Sequence, residues 1–309
     1  MGTPEFAVAS LDALVQAGYP IVGVITAPDK PAGRGLQLTE SAVKKYALQA
    51  GLNILQPEKL KNPQFLDELR ALQADLQIVV AFRMLPESIW NMPPMGTVNL
   101  HGSLLPQYRG AAPINWAVIN GEEQTGVTTF KLQHAIDTGD ILLQESFPIG
   151  GNETAGDVHD RMKEIGAQVL VRTVAGLTAG TLTPTAQSSL HSSLPQSQES
   201  SSLKTAPKIF TETCRIDWNR SVTELHNLIR GLSPFPGAFT YLDGKLLKIY
   251  RAEKDSSHPA IPPGQYTTDK KTYLKFACSD GAIVLKELQQ EGKKRMGVED
   301  FLRGYKPQD

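Results

Sequence analysis

The sequence predicts an α/β protein in two parts: a mainly parallel sheet flanked by helices, then a small β-rich domain. Three observations predict it. Short apolar runs alternate with helically spaced segments through the first 180 or so positions. A Ser- and Gln-rich stretch, residues 186–205, then shows neither period and reads as a linker. Beyond it, short alternating runs are separated by Asp-Gly turn signals. A chain of 309 residues is long enough to bury two separate cores.

Thr3-Pro4 reads as a helix start, with Thr3 as cap and Pro4 at the first helical position; Phe6, Leu11, Leu14 and Val15 follow at helical spacing, and Gly18 ends the segment. Ile21 to Ile25 is an apolar run suited to a strand buried on both faces. After a Gly/Pro-rich loop from Pro28 to Gly35, helical patterning returns over Ser41–Ala50, with a short strand at Asn53–Leu55 and a helix from Phe65 to Leu72. Leu76–Ala81 and Gly96–Leu100 are the next strands; Val127–Leu132 and Ile141–Phe147 read as an antiparallel edge, and Val158–Leu177 as a closing helix. In the last third, Asp243-Gly244 and Ser279-Asp280-Gly281 mark two hairpins, and Val222–Leu232 is a helix. This is the pattern of a small β-barrel.

Composition narrows the class. No run approaches the roughly 18 apolar residues of a membrane span, and the opening residues carry Glu5 with no basic region, unlike a secretory signal. Two cysteines, Cys214 and Cys278, are too few for a disulfide framework or a thiolate metal site, which suits a cytosolic protein. Charge is uneven: residues 1–205 carry 14 Lys and Arg against 19 Asp and Glu, residues 206–309 carry 17 against 13. A basic final third attracts phosphates whatever their sequence, and a solvated charged surface explains the same count equally well.

Chemistry concentrates in residues 99–106. Asn99 and His101, two apart on a strand, face one side, at the carboxyl end of the sheet where open α/β sheets place ligands. An amide donor beside an imidazole suits a carbonyl oxygen that becomes negative. Asp137-Thr138-Gly139-Asp140 supplies a carboxylate that could set the tautomer of His101 or take a proton. A polar strand end and a turn-forming Asp-Thr-Gly remain open readings of the same residues. His159 and His134 read as surface and loop residues, Trp116 and Trp218 as core.

These segments together resemble the methionyl-tRNA formyltransferase family, within the wider folate-dependent formyltransferases. The resemblance runs over residues 99–106, 109–114 and 137–140, over 2–7 and 28–35, and over 206–209 with 216–218. It implies a Rossmann-like formyltransferase domain over residues 1–185, the linker 186–205, and an OB-like tRNA-binding domain over residues 206–309. It implies 10-formyltetrahydrofolate as donor, initiator methionyl-tRNA as acceptor, no metal, no membrane, and a cytoplasmic monomer. Asn99, His101 and Asp137 become the catalytic trio. Ser103, Leu104, Leu105 and Pro106 become the folate-binding segment, with Arg83, Met84 and Leu85 walling the pterin. Arg34 becomes the tRNA-probing residue of a glycine-flanked loop in which Leu36 and Gln37 stand where the family can carry lysines. Separately, Lys293, Lys294 and Arg295 read either as a basic patch for the tRNA backbone or, equally, as a charged turn. The rival readings are a formyltransferase acting on a small amine and a non-catalytic tRNA-binding protein; the second domain disfavours the first and the complete trio disfavours the second.

In an α/β sheet of this kind the first strand precedes the first helix. Only Met1 and Gly2 precede Thr3-Pro4, whereas members of the resembled family place a short apolar strand there. The expectation is a chain begun at an internal Met: its sheet lacks a central strand, leaving two parallel strands apart or closed up with distortion.

Overall fold

The structure, a computed structural model, describes residues 1–32, 37–191, 203–257 and 260–305. In chain order its elements begin with α1 (Glu5–Gln16), β1 (Val24–Ile25), β2 (Lys30–Ala32), β3 (Gln37–Thr39), α2 (Ala42–Gln49), β4 (Ile54–Leu55), α3 (Pro63–Ala71), β5 (Gln77–Val80), α4 (Glu87–Trp90) and β6 (Thr97–His101). Then come β7 (Arg109–Gly110), α5 (Pro113–Ile119), β8 (Gln124–Lys131), β9 (Ile141–Pro148), α6 (Ala155–Thr178), α7 (Gln187–His191) and β10 (Thr205–Ala206). The final stretch holds α8 (Thr211–Cys214), α9 (Val222–Gly231), β11 (Ala238–Leu242), β12 (Lys245–Asp255), β13 (Tyr266–Thr268), β14 (Leu274–Ala277), β15 (Ala282–Gln290), β16 (Met296–Gly297) and α10 (Val298–Arg303).

Two compact units result. The first gathers Met1–Arg109, Gly126–Phe147 and His159–Lys204; the second gathers Gly110–Thr125, Pro148–Val158 and Thr205–Asp309. This differs from a simple cut at residues 186–205, because two earlier segments pack with the last third. In the second unit the Ala111 N–H donates to Ala206 O at 2.7 Å, and the Asn115 amide donates to Gly231 O at 2.7 Å. The supposed linker is also shortened: residues 187–191 are helical and Gln187 is buried in the first unit, while 192–202 lie outside the described residues.

In the first unit β5 runs parallel to β6, with Val79 opposite Asn99, and β6 runs antiparallel to β8, with His101 opposite Thr128. β9 lies beyond β8. β1 and β4 form a separate parallel pair. Between β1 and β5 only Met1 and Gly2 intervene. The Gly2 N–H donates to Ile25 O at 3.1 Å, the Met1 amine donates to Ile78 O at 2.6 Å, and the Val80 N–H donates to Met1 O at 2.9 Å. Past these two residues a cleft of about 130 Å³ opens, lined among others by Leu14, Ile21, Gly23, Leu72, Leu76 and Ile78. The Val24 and Thr26 N–H groups bond to Asn53 and Leu55 on β4, so by alternation those of Gly23 and Ile25 face the cleft. The run Ile21–Ile25 is accordingly a strand only over Val24–Ile25, and Val22 is 43% exposed. Burial pushes the Met1 amine down to about 5. At the start of α1, Pro4 rather than Thr3 occupies the cap position, in extended conformation.

The second unit's sheet is continuous, in the order β11-β12-β15-β14-β13, with β16 against β15. Asp243 and Gly244 take φ of +50° and +74°, the two left-handed positions that a tight two-residue hairpin requires. A register shift between Ile249 and Arg251 bends β12, and the sheet curls into an OB-like half-barrel. α9 starts with a reciprocal cap, Ser221 to Glu224, and lays Leu225, Leu228 and Ile229 onto the sheet beside Ile249, Leu285 and Phe301. Trp218 stacks on Phe276 with ring centroids 4.7 Å apart. Cys214 and Cys278 are buried free thiols, and burial pushes both up.

Candidate active site

The site is built at the carboxyl end of β6. Asn99 and His101 alternate with buried Val98 and Leu100, so the pattern that fills the core with one set of side chains turns the other two to the opposite face. The His101 ring is 6% exposed and stands edge-on to Phe130, centroids 6.4 Å apart. Its Nε2 lies 2.9 Å from the Tyr108 carbonyl oxygen. A carbonyl only accepts, so Nε2 carries a proton and Nδ1 is the nitrogen left for chemistry. Nδ1 faces Asp137 Oδ2 at 3.9 Å, a charge contact longer than a hydrogen bond. Asp137 thus faces the ring across a charge contact, while Tyr108, itself at φ +59°, holds the ring from its other side by a direct hydrogen bond.

Asp137 also sits in the left-handed region, at φ +54°. Its loop closes tightly on β8. The Lys131 N–H donates to Asp140 O at 3.0 Å, and a Cβ at Gly139 would stand 1.6 Å from Lys131 O, so only glycine fits. Thr138 Oγ1 donates to Ala135 O at 3.0 Å within the turn.

The segment after β6 is knitted to its neighbours. Ser103 Oγ donates to Gln107 O at 2.7 Å, Thr128 Oγ1 donates to Ser103 O at 2.7 Å and receives the Leu105 N–H at 3.1 Å, and the Gln144 amide donates to Leu105 O at 2.8 Å. Ser103 is 0% exposed and Leu105 2%, the latter packed on Phe130 and Ile141. Within the segment expected to bind folate, these two side chains therefore shape the loop, and Leu104 and Pro106 are partly exposed.

The expected pterin wall divides similarly. Met84 is 75% exposed, whereas Leu85 is 8% exposed and packs in the core with Leu60, Phe65 and Ile89. Arg83 donates to Glu58 O at 2.8 Å and to Pro57 O, and its guanidinium lies 5.4 Å from the Phe82 ring, so it braces the 57–58 loop. Arg34 lies outside the described residues. In the basic patch, Lys293 and Lys294 are exposed, but Arg295 makes a two-pronged pair with Glu287, 2.6 Å for each bond, and covers the Tyr250 ring at 4.3 Å. Its charge is locally answered, which the sequence did not reveal.

No group of three or more His, Cys, Asp or Glu that could hold a metal ion exists among the described residues. His159 contacts Asp160 at 3.2 Å and the Phe6 ring at 5.3 Å; His134 is a surface residue 3.4 Å from Glu87. No described helix is long and apolar enough to cross a membrane.

His101 and Asp137 face each other at the carboxyl end of β6, with Asn99 two residues earlier on the same strand, and the nearby serine hydroxyl is committed to a carbonyl. That set, on this fold, defines a group-transfer enzyme of the one-carbon kind, and the chain belongs to the formyl transferase family: the family profile matches residues 1–174 and the profile of its C-terminal domain residues 208–306. Among its relatives, the methionyl-tRNA formyltransferase of Parabacteroides distasonis is 55% identical over 99% of this chain and 94% of its own length. That of Bacteroides thetaiotaomicron is 50% identical over 100% and 95%. A solved N-formyltransferase from Helicobacter canadensis, in complex with folinic acid and dTDP-3-aminofucose, shares the fold at a TM-score of 0.66 and 19% identity, covering 94% of this chain and 97% of its own.

Proposed function

We propose that the protein transfers the formyl group of 10-formyltetrahydrofolate to the free amine of methionine esterified to initiator tRNA. The observation that carries the reading is the arrangement of Asn99, His101 and Asp137, with Nδ1 of a buried imidazole turned to a carboxylate 3.9 Å away. The donor supplies an already activated formyl group on nitrogen. Asn99 Nδ2 and a protonated His101 Nδ1 donate to the formyl oxygen as it gains charge. Asp137 balances the imidazolium and receives the proton lost by the attacking amine. The proton then passes to the departing nitrogen, so one C–N bond forms as another breaks and no charge is left over. Direct transfer is favoured because Ser103, the segment's only hydroxyl side chain, is buried with its hydroxyl engaged.

Acceptor identity rests on the near full-length likeness to methionyl-tRNA formyltransferases and on the basic last third. In this reading Lys293 and Lys294 contact the tRNA backbone, Arg34 probes the acceptor end, and the enzyme is a cytoplasmic monomer. Formylation of charged initiator tRNA with 10-formyltetrahydrofolate tests it, with glycinamide ribonucleotide and amino sugars as competing acceptors. Preference for a small amine would replace this acceptor. Arg34→Ala is expected to raise KM for tRNA well above any change in KM for folate.

A further inference from the structure

We propose that Gln187 is a positioning residue for the transfer step, acting through Asp137; this rests on the formyl-transfer reading above. Gln187 is 4% exposed, although it opens a stretch whose composition reads as linker. Both hydrogens of its amide reach one loop: Nε2 donates to Asp137 O at 2.9 Å and to Gly139 O at 2.8 Å. Its oxygen accepts from Arg109 Nε at 3.1 Å and from Nη2 at 2.5 Å. Every hydrogen-bonding position of the amide is thus filled, and the roles cannot be exchanged. Turned over, the amide would set its oxygen against two carbonyls and its hydrogens against a guanidinium.

Asp137 needs such a hold. A non-glycine residue at φ +54° sits in a conformation that is disfavoured unless its surroundings enforce it. With the carbonyls of residues 137 and 139 both tethered, the peptide between Asp137 and Thr138 cannot turn over, and the carboxylate stays opposite Nδ1 of His101. The Arg109 fork fixes the direction of the amide, and the backbone pair Ile141–Thr185 delivers the segment to the loop. None of these hydrogen bonds reaches His101 or Asn99. They act on the loop, and the loop carries the carboxylate.

The test is a double-mutant cycle on the full chain. Gln187→Ala should lower kcat for formylation about 10- to 100-fold, the scale expected of a misplaced catalytic group, with both KM values within about twofold. Gln187→Met, which fills the space without the amide, should match it, and Arg109→Lys should lose about three- to tenfold because it cannot make the two-pronged bond. In an Asp137→Asn background, Gln187→Ala should cost less than about threefold, since the group it positions is already gone. Equal losses in both backgrounds, losses confined to KM, or a Met variant as active as the parent would each overturn the proposal. If the parent chain formylates no tRNA, the functional reading fails by itself. Amide hydrogen exchange over residues 135–141 then decides the clamp: faster exchange in Gln187→Met supports it, and unchanged exchange overturns it.

Discussion

The two sheets of this protein solve the same problem differently. In the second unit five strands follow one another without interruption, and a capped helix covers the sheet with Leu225, Leu228 and Ile229. In the first unit the sheet is in two pieces, with Met1 and Gly2 spanning the interval at one end and a cleft of about 130 Å³ continuing beyond them. Yet Asn99 and His101, the residues proposed above to act on the formyl group, stand in that first unit, on the piece formed by β5, β6, β8 and β9. What the difference teaches is that the strand carrying the candidate site is locally complete: β6 is flanked by β5 and β8 whatever happens at β1. Burial lowers the Met1 amine in the first unit and the His226 imidazole in the second.

The largest effects are expected where the comparison predicts independence from the cleft. Asp137→Asn and His101→Ala should each reduce turnover about 100-fold or more while leaving the melting profile of both units nearly unchanged. Near-full activity in Asp137→Asn would remove that residue from the mechanism.

Closing the cleft should do the reverse. We expect four or five apolar, β-favouring residues joined ahead of Met1 to enter between β1 and β5, pair with the N–H groups facing the cleft, and turn the buried amine into an amide. Buried unpaired backbone groups cost about 1–3 kcal/mol each, so the first unit's melting temperature should rise by several degrees or more. The second unit's transition should not move. Scanning calorimetry of the two chains decides it, and an unchanged first transition would refute the pairing.

A smaller effect separates the two units by pH. Burial, with Arg230 and Lys254 nearby, pushes the His226 imidazole below its ordinary 6.5. Below 6.5 the unfolded chain therefore binds a proton that the folded one does not, so the second unit should keep its full stability above that pH and lose it as pH falls toward the lowered value. His226→Gln should flatten the second unit's acid dependence and leave the first unit's unchanged; calorimetry across this range reads both.

The smallest effect lies on the second unit's surface. Lys293→Ala and Lys294→Ala should weaken tRNA binding modestly and reduce the salt dependence of affinity by about one unit each. Arg295→Ala, whose charge is paired with Glu287, should change that slope less. Equal slopes for all three would show that the pairing opens on binding.

Much of this was legible in the sequence because it depends on local order. The hairpin at Asp243-Gly244 follows from the left-handed positions it needs, and β6 with Asn99 and His101 on one face follows from a period of two. Three things were not legible. The orientation of His101 by Tyr108 depends on a backbone carbonyl, which no side-chain pattern reports. The burial of Ser103, Leu105 and Leu85 depends on what packs above them. Gln187 was hidden by its neighbours: within a Ser- and Gln-rich stretch, one buried glutamine is indistinguishable by composition from the solvated residues that follow it.

The clamp on the Asp137 loop also sets an order of events during synthesis. Gln187 lies 50 positions after Asp137, beyond α6 and the return at Thr185. A nascent chain that has emerged only as far as α6 already contains Asn99, His101 and Asp137, but its carboxylate is untethered. On the proposed mechanism, catalytic competence therefore arrives late, when the chain turns back onto β9, and a fragment ending before residue 187 is expected to hold the whole trio and still be a poor enzyme. The folding schedule would then switch on the chemistry, at a residue that performs none.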